Sequence, residues 1–160
     1  MCSENNEIKL LILDVDGTLT DGKIHMGPNG ETHKSFSVKD GMGIKLLQKQ
    51  GVVIAIVTAR NSIIVENRAK ELGIEELYQS ISNKVSVITS LAEKYNVSLA
   101  NIAYIGDDIN DVEVMKIVGH SFCPNDSTPI VTEIANTVLT KNGGDGAVRE
   151  ATEIIMNGLK

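Results

Sequence analysis

The sequence has no tryptophan, two phenylalanines and three tyrosines in 160 residues, so aromatic stacking cannot organise its interior. The core must be built from isoleucine, valine, leucine and alanine. Its two cysteines, Cys2 and Cys123, lie far apart without a CxxC pattern. That points away from a disulfide framework and toward two reduced thiols in a cytoplasmic protein. No apolar run approaches the roughly 18 residues of a membrane span. The opening Met1-Cys-Ser-Glu-Asn-Asn has neither the basic region nor the apolar stretch of a signal peptide. Basic charge is also in deficit. A net charge of −6 and a pI near 5.0 argue against a nucleic-acid partner held by phosphate contacts. The Walker pattern GxxxxGK[ST] is absent, which excludes a P-loop nucleotidase. No repeat, low-complexity tract or linker interrupts the chain, so a single domain over residues 1–160 is expected.

What is present alternates. Three short apolar runs, Ile8–Leu13, Val52–Val57 and Asn101–Ile105, have the length and composition of strands buried on both faces. Shorter pieces at Leu77-Tyr-Gln and Thr137-Val-Leu suit further strands. Helical patterns fill the intervals: 40–50, 62–72, 83–95, 112–118, 128–135 and 147–156, the first two stopping at Gly51 and Gly73. Asp40 and Asp111 are candidate caps of the helices they open. Strands alternating with helices predict a Rossmann-like α/β three-layer sandwich, with a parallel sheet covered on both faces. Residues 21–37 break the pattern. Gly-Pro-Asn-Gly is a turn signal between β-tolerant flanks, which predicts a projecting β-hairpin too small to be a cap domain.

The polar residues that carry chemistry fall where those strands end. Asp14 and Asp16 follow the first run, Thr58 the second, and Asp107, Asp108 and Asp111 the third. Ligands of open α/β sheets bind at that edge. An isolated aspartate there is usually a helix cap or a solvated loop residue. Several converging on one edge repel one another unless a hard divalent cation such as Mg²⁺ lies among them. Thr58 offers a hydroxyl just before a predicted helix start, and Gly17-Thr18 permits a tight loop whose amides can face an anion. Lys84 adds a point charge. A cation, a lysine and N–H donors together suit a phosphoryl group.

Asp14-Val-Asp-Gly-Thr18, Thr58, Lys84 and Gly106-Asp-Asp-Ile-Asn-Asp111 resemble, in order, the four motifs of the haloacid dehalogenase superfamily. The likeness runs from Ile8 to Glu150. It implies that Asp14 is the nucleophile forming an aspartyl-phosphate and that Asp16 is the general acid and base. It implies Mg²⁺ held by the Asp14 side chain, the Asp16 backbone carbonyl and Asp107. Thr58 and Lys84 would bind phosphoryl oxygens, with Asp108 and Asp111 orienting Lys84 and the metal's waters.

Further stretches resemble the capless group acting on 3-deoxy-D-manno-octulosonate 8-phosphate in lipopolysaccharide precursor synthesis. They are Leu19-Thr-Asp-Gly, Met26-Gly-Pro-Asn-Gly-Glu, Lys39-Asp-Gly-Met-Gly-Ile, Thr58-Ala-Arg, Arg68 with Leu72-Gly-Ile, and Gly143 to Glu150. The resemblance implies a homo-oligomer, a tetramer, in which neighbouring copies enclose the site. It places Arg60, Arg68 and Arg149 near the substrate and, within the C-terminal stretch 143–160, gives the glycine-rich segment ending at Arg149 a part in closing the site. Related enzymes act on nonulosonate 9-phosphates of the sialic acid type, and that substrate is the alternative. A receiver-type phospho-acceptor domain shares many of these residue types. Its acidic pair, however, follows the first strand and its phospho-acceptor lies mid-chain, the reverse of the order here. A catalytically silent relative is disfavoured because every catalytic position is filled.

Overall fold

The computed structural model describes residues 7–159. Its strands are β1 (Leu10–Leu13), β2 (His25–Gly27), β3 (Gly30–His33), β4 (Val53–Val57), β5 (Glu76–Tyr78), β6 (Ile102–Ile105), β7 (His120–Cys123) and β8 (Thr137–Val138). Its helices are α1 (Val38–Lys49), α2 (Ile63–Glu71), α3 (Lys84–Tyr95), α4 (Val112–Met115), α5 (Pro129–Ile134) and α6 (Ala147–Met156). Cys2 lies outside the described residues; Cys123 is a buried free thiol.

All four residues of β1 are buried, because this strand sits inside a six-stranded parallel sheet of order β5-β4-β1-β6-β7-β8. Leu10 is opposite Val53 on one side and Ile102 on the other. Successive side chains then serve opposite faces. Leu11 and Leu13 pack with Ile44 and Leu47 of α1, Val65 of α2 and Val148 of α6. Leu10 and Ile12 pack with Ile88 and Leu91 of α3, Val114 of α4 and Val131 of α5. Each fully buried leucine or isoleucine contributes about 1.5–3 kcal/mol relative to exposure. The two clusters are the two interlayer cores of an α/β sandwich.

The chain runs from β1 through β4 to β5 at one edge, returns to β6 beside β1, and continues to the other edge. That reversal opens a crevice beyond the C-terminal ends of β1, β4 and β6, where ligands of such sheets bind. The hairpin forms its own two-stranded sheet, β2 with β3, between β1 and α1. There is no separate cap domain among the described residues.

Two local expectations change. The cap of α1 is Ser37, whose Oγ accepts from the Asp40 N–H at 3.4 Å. Asp40 lies inside the first turn, buried, and its Oδ1 accepts the Arg149 N–H at 2.9 Å, joining α1 to α6. Strand β7 has no sequence signature, because His-Ser-Phe-Cys mixes polar and apolar residues. It is accommodated because the Asn136 side chain accepts from both the amide and the hydroxyl of Ser121.

Candidate active site

Asp14 is the first residue past β1, and its N–H donates to the Ile105 carbonyl at 3.0 Å, carrying the parallel ladder one step beyond the strand. The loop then turns tightly. The N–H groups of Thr18, Leu19 and Thr20 all donate to the Val15 carbonyl at 2.9–3.1 Å. Gly17 has φ +89°, and a Cβ there would lie 1.9 Å from Asp107 Oδ2. Only glycine permits both that turn and the approach of the loop after β6. The glycine-rich segment braces this loop, since a Cβ on Gly143 would lie 1.9 Å from the Gly17 carbonyl oxygen.

Lys84 reaches in from the first turn of α3, whose cap is the Asn83 side chain. Its Nζ lies 3.0 Å from Asp14 Oδ1, 2.8 Å from Asp111 Oδ1 and 3.2 Å from the Tyr104 hydroxyl, all buried. Asp111 is fully engaged. Its Oδ1 accepts from Lys84 and Tyr104, and its Oδ2 from the N–H groups of Asp107 and Asp108 at 2.9 and 3.2 Å. It therefore orients Lys84 and the 107–108 backbone instead of capping α4. Asp108 caps the short turn after it, its Oδ1 accepting the Ile109 N–H at 2.7 Å.

The electrostatics of this cluster are unfavourable without a further positive charge. Burial, then the Asp111 charge, push Asp14 up to about 6 against the opposing pull of Lys84. Burial, then the Asp14 charge, push Asp107 up to about 8. Burial works against the Lys84 ammonium, but Asp14 and Asp111 outweigh it and raise its pKa. Oxygens of Asp14, Asp107 and Asp111 lie within 4.8 Å of one another. Asp107 Oδ1 is buried with no hydrogen-bond partner, an orphaned acceptor of the kind a cation satisfies. All-oxygen donors of this charge suit a hard divalent ion. Because Asp111 is saturated by protein donors, Asp14 and Asp107 are the side chains free to hold one.

Asp16 lines the same cavity, of about 180 Å³, with Asp14, Thr58, Arg60, Asp107 and Asn110. Its Oδ1 accepts from Lys34 at 2.7 Å, and its Oδ2 lies 3.7 Å from Arg60 Nε. Thr58 is buried at the end of β4, its N–H donating to the Tyr78 carbonyl at 2.9 Å. Helix α2, expected from residue 62, begins at Ile63, five residues past Thr58, with Ser62 at its cap position. The Gly17 and Thr18 amides, expected to face an anion, turn inward to Thr20 Oγ1 at 3.3 Å and to the Val15 carbonyl at 3.1 Å.

Two arginines are held elsewhere. Arg68 donates to the Ser37 carbonyl at 3.2 Å and to Glu71 at 2.9 Å and stacks on Phe36, between α2 and the start of α1. Arg149 pairs with Glu153 at 2.6 Å and lines a cavity of about 540 Å³ at the N-terminal ends of α1 and α6. That cavity is larger, but two of its carboxylates are engaged locally: Glu153 pairs with Arg149, and Glu150 accepts from the Thr140 and Lys141 amides at 2.9 and 3.0 Å. The smaller cavity holds the converging, under-neutralised carboxylates. Sequence reasoning missed Tyr104 and Lys34. A tyrosine inside an otherwise apolar strand needs a buried partner for its hydroxyl, which was a usable signal. Lys34, in a polar hairpin flank, gave none.

Comparison with known proteins adds to this geometry. A family model described as haloacid dehalogenase-like hydrolase matches residues 11–81 and 74–150. The 3-deoxy-D-manno-octulosonate 8-phosphate phosphatase of Escherichia coli K12 is 45% identical over 149 residues, 93% of this chain and 79% of that protein. The crystal structure of its counterpart from Yersinia pestis superposes with a TM-score of 0.93 at 42% identity, covering 96% of this chain and 82% of that one. The counterpart from Moraxella catarrhalis, crystallised with magnesium ion, phosphate ion and the sugar acid, gives a TM-score of 0.92 at 37% identity, covering 96% and 87%. The ordered motifs, the switch-point carboxylates and these matches agree: the chain belongs to the haloacid dehalogenase-like hydrolases.

Proposed function

We propose that this protein is a Mg²⁺-dependent phosphatase that hydrolyses 3-deoxy-D-manno-octulosonate 8-phosphate to the free sugar acid and phosphate. The observation that carries the reading is the buried Asp14–Lys84–Asp111 set beside the unpartnered Asp107 oxygen. It presents a carboxylate nucleophile, a fixed ammonium and an unsatisfied cation ligand at one strand edge. The relatives' activity supplies the substrate class.

In this reading Asp14 attacks phosphorus. Lys84, held by Asp111 and Tyr104, steadies the Asp14 carboxylate and meets charge on the phosphoryl oxygens. Asp16 gives a proton to the departing sugar oxygen and then takes one from the water that cleaves the aspartyl-phosphate. The Thr58 hydroxyl binds a phosphoryl oxygen. Asp14, the Asp16 carbonyl and Asp107 would hold Mg²⁺, which supplies neutralisation of the clustered negative charge when bound. Arg60, exposed at the cavity rim, would pair with the substrate carboxylate.

A cavity of about 180 Å³ is smaller than the roughly 300 Å³ at which ligand pockets begin. That shortfall supports enclosure of the site by a second copy, and the assembly proposed is a homotetramer. Exposed Met26 on the hairpin, Val38 and Met42 on α1, and Ile63 on α2 offer apolar contact for it. Arg68 and Arg149 would then act only in a neighbour's site. No described helix is long and apolar enough to cross a membrane, and the free Cys123 suits the cytoplasm.

The test is phosphate release with Mg²⁺ from a panel of octulosonate 8-phosphate, nonulosonate 9-phosphates, hexose phosphates and an aryl phosphate, with Asp14→Asn as blank. The expected kcat/KM advantage of the eight-carbon acid is about 100-fold. A nine-carbon preference would replace the substrate, and release no greater than the blank would overturn the phosphatase reading.

A further inference from the structure

A lysine with a covered side chain ties the hairpin to the candidate catalytic cavity. Lys34 follows β3, and its side chain is 1% exposed. Its Nζ lies 2.7 Å from Asp16 Oδ1 and 3.0 Å from Glu31 Oε2. Glu31 is anchored in turn: its Oε1 accepts from Ser62 Oγ at 2.6 Å, and its Oε2 lies 3.4 Å from the Arg60 guanidinium. A surface ion pair between long side chains is worth little and holds nothing in place. This one is covered, short and braced on a second element.

A group that passes a proton to a substrate must present one oxygen in a fixed direction. Lys34 occupies Oδ1 of Asp16. Oδ2 accepts no hydrogen bond among the described residues, Arg60 Nε being 3.7 Å away. We propose that Lys34 is a positioning residue for Asp16, fixing Oδ1 so that Oδ2 is the oxygen that exchanges protons with the leaving group and with water. Glu31 and Ser62 hold Lys34 in place. As Asp14 bonds to phosphorus and the phosphorus–sugar oxygen bond breaks, the bonding pair stays on the sugar oxygen, which takes the proton from Oδ2. Asp16 is left as a carboxylate, and the ammonium of Lys34 stabilises the charge that has just formed. The inference rests on Asp16 being the acid of the proposed phosphatase reaction.

The test follows release of the leaving alcohol in a single turnover, with the full chain in excess over substrate and Mg²⁺ present. Two substrates are compared: octulosonate 8-phosphate, whose alkoxide needs a proton, and para-nitrophenyl phosphate, whose phenolate leaves without one. Lys34→Met is expected to slow the sugar phosphate by about 100-fold and the aryl phosphate by less than about 5-fold, with Lys34→Arg recovering at least about tenfold of the loss. Glu31→Gln, which keeps a polar contact to Ser62, should show the same skew at about 3–10-fold and serves if Lys34→Met fails to fold. Equal losses on both substrates, or no loss on the sugar phosphate, would reduce Lys34 to a hairpin anchor and overturn the proposal. A wild-type protein that releases neither alcohol overturns the phosphatase assignment, and this inference with it.

Discussion

Lys84 is the residue on which the site's electrostatics turn. It is 4% exposed and touches two carboxylates and a phenol, so its desolvation is offset only while all of them are present. Lys84→Met leaves Asp14 and Asp111 buried without their counter-charge. The expected cost is about 3–5 kcal/mol of unfolding free energy, measured as a fall in the denaturant midpoint at neutral pH. Adding Asp111→Asn removes one of the stranded charges and should recover at least about 1 kcal/mol. A Lys84→Met protein as stable as the parent would show that the three groups do not share one charge network. Activity should vanish in either variant, because the ammonium is then missing from the proposed phosphoryl site.

At the scale of elements, the edge strand β5 is fastened to α3 by a single carboxylate. Burial alone would raise Glu76, but hydrogen bonds from Lys94, Tyr78 and Tyr95 outweigh it and hold its pKa at about 2. A carboxyl depressed in the folded state binds its proton more readily when unfolded. Its stabilisation is therefore complete above the ordinary glutamate value of 4.5 and is lost as pH falls toward 2. The stability gap between the parent and Glu76→Gln should be about 2 kcal/mol at pH 6, discounted for the exposed Lys94 partner, and should shrink steadily below pH 4.5. A gap independent of pH would assign the residue's effect to packing. The same scale shows what a reader of the sequence can and cannot see. Strands β1, β4 and β6 are legible because burial on both faces demands unbroken apolar runs, and Asp14, Thr58 and Asp107 are legible because they stand within two residues of the ends of those runs. Strand β7 is not, since the polar partner that makes buried Ser121 tolerable, Asn136, comes from a distant loop. Nor are the displaced Arg68, the inward-turned Thr18 amide or the Lys34–Asp16 pair, all decided by how elements pack and not by local pattern.

For the whole molecule, the converging carboxylates are a standing cost of the fold that a bound cation removes. Asp14 and Asp107 are both raised by burial and by neighbouring negative charge. A cation that binds the folded chain and not the unfolded one stabilises it, so Mg²⁺ at 100 times its Kd should add about 2.7 kcal/mol. For a chain of this size that is a rise in Tm of roughly 5–10 °C. Asp107→Asn should abolish most of the rise. A Tm indifferent to Mg²⁺, or a rise unchanged in the variant, would remove Asp107 from the cation site. The proposed oligomer belongs to this scale as well: sedimentation as a lone chain at micromolar concentration would contradict it and leave the small cavity without the proposed enclosure.

The central claim is that the Asp14 carboxylate becomes covalently bonded to phosphorus. The most direct measurement is to quench the protein in acid during turnover of octulosonate 8-phosphate, reduce with borohydride and sequence the peptides by mass spectrometry. An aspartyl-phosphate is reduced to homoserine, whereas a free aspartate is untouched. Homoserine is expected at position 14, dependent on substrate, and more of it when Asp16→Asn turns over para-nitrophenyl phosphate, whose phenolate leaves without a proton, so that only hydrolysis of the intermediate is slowed. Phosphate release at full rate with position 14 unmodified, or homoserine at another aspartate, would contradict it.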